Sequence, residues 1–171
     1  SVRASLDRLG VEGVDILFLH GAAPHELDAA LLARLRALKQ AGAFRSLGAA
    51  VRGPALDWAL DAGWFEVLMT PIHPFLDSAE TAALDRAAQA GLPIMAIETA
   101  GDAPPRLRAP RSLADLYPLA KRVRAKGAGR GRIAVPDGLK LALGRPGVVS
   151  ALFTTTRRAH LNSNLESAGL S

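Results

Sequence analysis

The 171-residue sequence contains no cysteine and very few aromatic residues. Without cysteine the chain has no disulfide bond, no thiol nucleophile and no cysteine-ligated metal, and it gives no direct sign of its redox compartment. Aromatic residues make up 5 % of the chain, and Tyr117 is its single tyrosine. A phenolic proton donor therefore has only one candidate position.

Long apolar runs are also missing. No run approaches the roughly 18 residues that a membrane-spanning helix needs, and the first residues lack the order of a secretory signal. We therefore expect a cytoplasmic location by default. The composition, 49 % apolar and 22 % charged, is typical of a soluble α/β protein. The length suits a single domain over residues 1–171.

Positive charge is concentrated in one stretch, the basic segment 101–132, which is also rich in proline and glycine. The net charge of +5 first suggests nucleic acid, but the segment carries no regular aromatic interleaving and no known binding motif. We prefer an irregular solvated loop or insertion, or a site for a phosphate-bearing ligand. A helix is predicted over about 112–126. The basic residues are Arg106, Arg108, Arg111, Lys121, Arg122, Arg124, Lys126, Arg130 and Arg132.

Five short apolar runs predict buried parallel strands. Their apolarity is continuous rather than alternating, which indicates that both faces of each strand are covered. The predicted strands are Val14–Leu19, Arg45–Val51, Phe65–Thr70, Pro93–Ile97 and Val148–Thr154.

Helical patterns separate these runs. In "HELDAALLARLRALKQAG" leucines recur at helical spacing and Gly42 ends the pattern. "SAETAALDRAAQAG" repeats the scheme with Ser78 as its expected N-cap, and "RGPALDWALDAG" places Pro54 at a first helical position. "VPDGLKLALGRPG" precedes the last strand, and a final helix is predicted over about Arg157–Ser167.

This alternation of strand and helix fits either an open doubly wound sheet or part of a (β/α)₈ barrel. No GxGxxG or GxxxxGK[ST] motif follows any predicted strand. That absence weakens the nucleotide-binding open sheet.

Three blocks, in this order, resemble the aldo-keto reductase family. "SLDRLGVEGVDILFLHG" is similar to the family's helix and fourth barrel strand, and "LLARLRALKQAGAFRSLGAAV" to its next helix and fifth strand. "GRPGVVSALFTTTRRAHLNSNLESA" is similar to its eighth strand and the cofactor-binding loop and helix that follow. "WFEVLMTPIHP" and "GLPIMAIETAG" fit the sixth and seventh strands in order and spacing.

The resemblance implies a partial (β/α)₈ barrel of about five parallel strands, from the helix before the fourth strand to the helix after the eighth. The first three βα units are then absent, and Ser1 in place of Met agrees with a fragment. The family reduces aldehydes and ketones with a hydride from NADP(H) or NAD(H) and a proton from a tyrosine tuned by a lysine and an aspartate. Those three residues belong to the missing units, and Tyr117 falls too late in the chain to replace the tyrosine.

His20 follows an apolar run and, without the resemblance, is most simply a core or loop histidine. By resemblance it is the active-site histidine, which orients and polarises the substrate carbonyl by donating a hydrogen bond. His73, where the family often has asparagine, either faces the site or is a loop histidine. Glu98 is either a carboxylate at the barrel mouth or the partner of a neighbouring arginine.

Several positions depart from the family pattern. Ala50 and Val51 stand where the family has a serine and an asparagine that hold the nicotinamide carboxamide. Met69 stands at the family's glutamine position, and Ile72 at that of the aromatic that stacks on the nicotinamide. The resemblance therefore implies an aliphatic surface at the nicotinamide end.

The adenosine end is better preserved in "TTTRRAHLNSN". Hydroxyls and backbone N–H groups at a helix start suit an anion, and arginine adds a bidentate contact. By resemblance Thr154, Thr155, Thr156 and Arg157 hold phosphate or ribose, and Asn164 meets the adenine. Ser163 stands at the family's glutamate position and His160 at its arginine position. The alternative is a capped surface helix with solvated arginines.

Two function hypotheses follow. In the first, the chain is part of an aldo-keto reductase-like oxidoreductase for small carbonyl substrates, inactive as this fragment. In the second, it is a non-enzymatic partial-barrel module whose unpaired edge strands are completed by another chain or another copy. No metal site is predicted, because the four histidines share no ligand spacing.

Overall fold

The structure, a computed structural model, describes residues 1–101 and 131–169. In this part of the chain five β-strands alternate with six α-helices. Their order is α1 (Val2–Leu9), β1 (Val14–His20), α2 (Ala29–Gln40), β2 (Phe44–Ala50), α3 (Pro54–Ala62), β3 (Val67–Pro71), α4 (Ser78–Gln89), β4 (Ile94–Ile97), α5 (Val135–Leu143), β5 (Val148–Ala151) and α6 (Arg158–Ser167). A short 3₁₀ turn, Pro24–Glu26, precedes α2.

The five strands form one parallel sheet in the order β1-β2-β3-β4-β5. The α/β class and all five predicted strands are confirmed. Each strand pairs with the next one along the chain and the order never reverses, which is the arrangement of a barrel and not of a doubly wound sheet. Within the described residues the sheet is a partial barrel that does not close, and β1 and β5 are its two edges.

One face of the sheet is packed under the helices, and we call it the helix-covered face. Its central side chains include Leu68, Ile94 and Ala96, each 0 % exposed, and they form the core with apolar residues of the helices. Removal of this apolar surface from water is the main stabilising contribution to the fold, about 25 cal/mol per Å². The core therefore lies between the sheet and its helices.

The opposite face, which we call the open face, is only half-buried. Phe18 and its partner Gly48 both lie on this face. The Phe18 ring covers Gly48 so closely that a Cβ atom added to the glycine would be 2.4 Å from the ring. Alternation and register place Ala50, Met69 and Met95 on the same face. The expectation that both faces of every strand are covered is wrong, because the open face is only half-buried and the two edge strands, β1 and β5, have no buried residue.

Capping residues set the helix starts. The Asp77 carboxylate accepts a hydrogen bond from Glu80 N (2.9 Å), and Glu80 Oε2 accepts one from Asp77 N (3.0 Å). Asp77 is therefore the N-cap of α4 in a reciprocal capping box, and the expectation for Ser78 is wrong. A carboxylate one residue earlier reaches the free N–H groups, so Ser78 becomes the first helical residue. Pro54 does begin α3, as predicted.

The other boundaries differ from prediction by a few residues. The strand predicted as Val148–Thr154 ends at Ala151, which pairs with Ala96, and Leu152 N donates a hydrogen bond to Ala96 O (2.8 Å) just beyond it. The predicted helix over 112–126, Tyr117 and nearly all of the basic segment 101–132 lie outside the described residues. No helix in the described part of the chain is long and apolar enough to cross a membrane.

Candidate functional site

The carboxyl ends of the strands bring the chemically active side chains to one edge of the sheet. His20 ends β1, Arg52 follows β2, His73 follows β3 and Glu98 follows β4. Loops at this edge are where parallel barrels place ligands. We refer to it as the carboxyl edge.

A cavity of about 770 Å³ opens at the carboxyl edge on the β4–β5 side. Its size is within the range of small-molecule and cofactor sites. Three elements build it: the residues that follow β4, the start of α5, and the loop from β5 into α6. The lining residues are Ile97, Glu98, Thr99, Ala100, Arg132, Val135, Pro136, Leu152, Phe153, Thr154, Thr155, His160, Ser163 and Asn164.

Asn164 is the most informative residue of this cavity. Asn164 is 4 % exposed and lines the cavity, and its side chain makes no hydrogen bond within the described residues. Thr99, 3 % exposed, also lines the cavity and likewise makes no side-chain hydrogen bond there. Neither side chain has a buried polar atom without a partner, so their hydrogen-bonding groups face the space of the cavity. Both are therefore available to a polar ligand.

The start of α6 forms the second wall. Thr155 Oγ1 accepts a hydrogen bond from Arg157 N at 3.2 Å, and α6 begins at the next residue. No side chain caps the helix at Arg157, so the first-turn N–H groups stay available. Arg157, Arg158 and His160 are exposed here. Free N–H groups with positive charge make a suitable place for an anion.

The structure brings together four of the six residues predicted for the cofactor. Thr154, Thr155, His160 and Asn164 all line the cavity. Thr156 and Arg157 belong to the same loop but do not line it, and both are exposed. Among the polar lining residues, Thr99 is one that the sequence did not indicate, and Arg132 comes from the basic segment 101–132. The apolar lining residues were not indicated for this site either: Ile97, Ala100, Val135, Pro136, Leu152 and Phe153.

Glu98 forms an ion pair with Arg52. Arg52 Nη1 donates to Glu98 Oε2 at 2.8 Å, and Nη2 donates to Oε1 at 2.5 Å. The bidentate contact joins the loops after β2 and β4 across the end of β3. The two alternatives for Glu98 are thus not exclusive, because the carboxylate pairs with an arginine and also lines the cavity at the carboxyl edge.

His20 lies apart from the cavity. It is exposed at the end of the edge strand β1, where it pairs in register with Ala50. Because β1 and β4 are three strand spacings apart, about 14 Å, His20 shares the carboxyl edge with the cavity but does not line it. The structure therefore places the predicted substrate-side residue and the predicted cofactor residues at separate points of one edge.

His73 is buried, with 7 % exposure, in the turn after β3. Its Nδ1 accepts a hydrogen bond from Phe75 N at 3.2 Å, which places the proton of a neutral ring on Nε2. The ring also lies 6.0 Å from that of Phe75. Of the two alternatives, His73 is the loop histidine.

The positions expected to form an aliphatic nicotinamide surface divide into two pairs. Ala50 and Met69 are half-buried on the open face. Val51 and Ile72, with 3 % and 0 % exposure, belong to the core. The expectation that Val51 and Ile72 face a ligand is therefore wrong, because both side chains pack into the apolar core of the domain.

Among the described residues, no group of three histidine or acidic side chains is arranged to hold a metal ion.

Solved structures similar to this chain include several aldo-keto reductases. One from Pseudomonas aeruginosa superposes with a TM-score of 0.68 at 19 % identity, over 98 % of this chain and 56 % of its own. The Bacillus halodurans aldo-keto reductase AKR11C1 in its apo form gives 0.67 at 17 % identity, over 98 % and 60 %. The fold is that of part of an aldo-keto reductase barrel.

A thermostable aldo-keto reductase, Tm1743, solved with the inhibitor epalrestat, gives a TM-score of 0.65 at 19 % identity over all of this chain. This chain spans 56–60 % of the length of these three aldo-keto reductases. No protein-family model and no curated protein sequence matches it. The aldo-keto reductase fold predicted from the three sequence blocks is thus confirmed by structure, at identities that show the fold alone.

Proposed function

We propose that the chain is the cofactor-binding part of an aldo-keto reductase-type oxidoreductase, and that its cavity holds the adenosine end of NADP(H) or, less tightly, NAD(H). The observation that carries the proposal is Asn164, which lines the cavity and whose amide makes no side-chain hydrogen bond among the described residues and faces the space of the cavity. An adenine ring offers the donors and acceptors that such an amide requires.

The residues at the start of α6 fit a cofactor phosphate. Thr154 and Thr155 supply hydroxyls, the first turn of α6 supplies N–H groups, and Arg157 and His160 supply positive charge or further donors. These groups would interact most favourably with a 2′-phosphate, and we therefore propose NADP(H) ahead of NAD(H). When bound, the nicotinamide supplies the hydride.

We assign the substrate side to His20. Its imidazole lies at the carboxyl edge and is exposed to a ligand, and a neutral ring can donate a hydrogen bond to a carbonyl oxygen. The substrate class is a small aldehyde or ketone. Tyr117 lies outside the described residues, and we assign it no part in proton transfer.

The 171-residue chain by itself is expected to lack normal carbonyl reduction. General acid catalysis by a positioned proton donor contributes about 10²–10⁴-fold in rate, and this chain offers no tyrosine at the positions that the family resemblance requires. Steady-state assays with NADPH and an aromatic aldehyde should show no turnover above background, while binding of NADPH persists.

The test of the proposal is a titration of NADPH followed by its fluorescence. Wild-type protein should change the emission with a Kd below a millimolar. Asn164→Ala should weaken binding at least tenfold, since it removes a buried hydrogen-bonding group. Asn162→Ala is the matched control, because Asn162 is exposed on the same helix. No change in emission at millimolar NADPH, or equal losses in both variants, would contradict the proposal.

A second candidate function rests on the unpaired strands. Within the described residues β1 and β5 each have one sheet neighbour, the open face is apolar, and Val149 is 66 % exposed. We propose, as the alternative, a binding or assembly module that another chain or copy completes through these edges. Sedimentation velocity tests the pairing between copies. A concentration-dependent dimer that Val149→Lys disrupts would support it, and a monomer at all concentrations would contradict it.

The cytoplasmic location stays a prediction.

A further inference from the structure

A second cavity lies at the opposite edge of the sheet, where β2 and β3 begin. Its volume is about 340 Å³, which is less than half that of the cavity at the carboxyl edge but still within the range of small-molecule sites. Its walls come from α2, from β2 and from the residues that link α3 to β3. We call it the amino-edge cavity. It shares no lining residue with the cavity at the carboxyl edge, so the function proposed above does not use it.

The amino-edge cavity is mostly apolar. Leu35 in α2 and Phe44 at the start of β2 line it as buried side chains, with 6 % and 2 % exposure. Trp64 also lines it, directly after the left-handed Gly63 that ends α3, and it is 37 % exposed. A partly exposed indole beside buried apolar side chains leaves apolar surface that a ligand can remove from water.

The charged side chains of this cavity are not fully paired. Three line it, Arg36, Lys39 and Glu66. Lys39 Nζ pairs with Glu66 Oε2, which also accepts a hydrogen bond from Leu47 N at 3.1 Å, so these two charges offset one another. Arg36 precedes Lys39 by three residues on the same face of α2. It makes no ion pair and no side-chain hydrogen bond within residues 1–101 and 131–169. One guanidinium is therefore left for a ligand.

We propose that the amino-edge cavity binds a small monocarboxylate with an apolar body, of the class of medium-chain fatty acids. The chain lies against Phe44 and Trp64, and the carboxylate accepts the two parallel hydrogen bonds that a guanidinium such as that of Arg36 can donate. A dianion is not favoured, because the cavity offers one unpaired positive charge and also contains the Glu66 carboxylate. The proposal does not depend on cofactor binding at the carboxyl edge.

The emission of Trp64 reports on this cavity once Trp58→Phe has removed the other of the two tryptophans. Phenylalanine keeps an aromatic ring beside Phe65, whose centroid lies 5.8 Å from that of Trp58. Octanoate, which is ionised at neutral pH, should give a saturable change in emission with a Kd below a millimolar. Octanol has the same chain length without the charge and should bind about tenfold more weakly, because it lacks the charge-assisted hydrogen bonds. Calorimetry of the same titrations gives a readout that is independent of fluorescence.

Three variants in the Trp58→Phe background locate the bound carboxylate. Arg36→Gln should weaken octanoate about tenfold and leave octanol within about twofold. Arg34→Gln is the matched control, since Arg34 is exposed on α2 and does not line the cavity, and it should leave both affinities unchanged. Asn164→Ala, at the carboxyl edge, should also leave octanoate binding unchanged. Thermal midpoints establish that each variant is folded.

A loss of octanoate affinity confined to Arg36→Gln supports the proposal. Equal affinities for octanoate and octanol, or equal losses in Arg36→Gln and Arg34→Gln, would show that no guanidinium in this cavity recognises the carboxylate, and would overturn it. A loss in Asn164→Ala would place the octanoate in the other cavity and overturn it too. So would the absence of both an emission change and a heat of binding. None of these results bears on the proposed cofactor site, which the NADPH titrations test separately.

Discussion

The two sides of the carboxyl edge are built differently. On the β4–β5 side, loops and α6 enclose a cavity with two buried polar side chains, Thr99 and Asn164. On the β1–β2 side, His20 is exposed at a sheet edge and the neighbouring open face is only half-buried. A ligand needs enclosure and positioned polar groups to be held, so within the described residues only the β4–β5 side is equipped for binding.

The largest expected difference between the β4 side and the β1 side of the sheet is in the stability lost when an isoleucine is truncated. Ile94 in β4 is 0 % exposed, whereas Ile16 in β1 is half-buried on the open face. Ile94→Ala should lower the free energy of unfolding by about 3 kcal/mol, because it leaves a cavity that the core cannot fill. Ile16→Ala should lower it by about 1 kcal/mol. Urea unfolding of both variants measures the difference, and equal losses would show that the β1 side is as well packed as the β4 side.

The Asn164 amide should matter for the ligand. Asn164→Leu replaces a polar side chain that faces the cavity with an apolar one of similar size. It should abolish cofactor binding, and with it the rise in thermal midpoint that NADPH gives the wild-type protein. Thermal unfolding with and without NADPH measures this. A rise in midpoint that persists in Asn164→Leu would mean that the amide does not contact the cofactor.

The smallest expected effect lies at the opposite edge of the sheet. Lys39 Nζ contacts Glu66 Oε2 at 2.5 Å, and Glu66 Oε2 also accepts a hydrogen bond from Leu47 N. The hydrogen bond from Lys39, followed by that from Leu47, lowers the pKa of Glu66 below its ordinary value of 4.5. The folded state thus favours the carboxylate. The stability that the Glu66 carboxylate contributes is fully present above the pKa that Glu66 has in the unfolded chain. It is lost as the pH falls through the lower pKa that Glu66 has in the folded protein.

Lys39→Met should therefore lower the free energy of unfolding by about 0.5 kcal/mol at pH 7, the scale of an exposed ion pair. At a pH low enough to protonate Glu66 in the folded protein, it should change nothing. Denaturant unfolding at the two pH values measures this. An equal loss at both would show that the packing of the lysine stem, and not its charge, is the stabilising contribution.

Much of the fold could be predicted from the sequence, because continuous apolar runs and glycine-ended helical patterns are local signals. The half-buried open face and the lack of buried residues in β1 and β5 could not be predicted, since they depend on what covers a strand and not on the strand's own residues. The N-cap of α4 is hard to assign from sequence, because Asp77 and Ser78 are adjacent and either side chain could reach the same N–H groups.

The site was predictable only in part. Thr154, Thr155, His160 and Asn164 come from one continuous stretch, so their grouping is visible in the sequence. The ion pair of Arg52 and Glu98 joins residues 46 positions apart, and it depends on a left-handed backbone at Glu98 that no sequence pattern signals. Both residues do follow predicted strands, which is the signal that could have placed them at one edge.

Calorimetric titration of NADPH into wild-type, His20→Ala and Asn164→Ala proteins tests the central claim, that the β4–β5 side binds the cofactor, most directly. His20→Ala should bind within twofold of wild type, and Asn164→Ala at least tenfold more weakly. If His20→Ala lost binding and Asn164→Ala kept it, the cofactor would bind on the β1–β2 side, and its assignment to the β4–β5 cavity would be wrong.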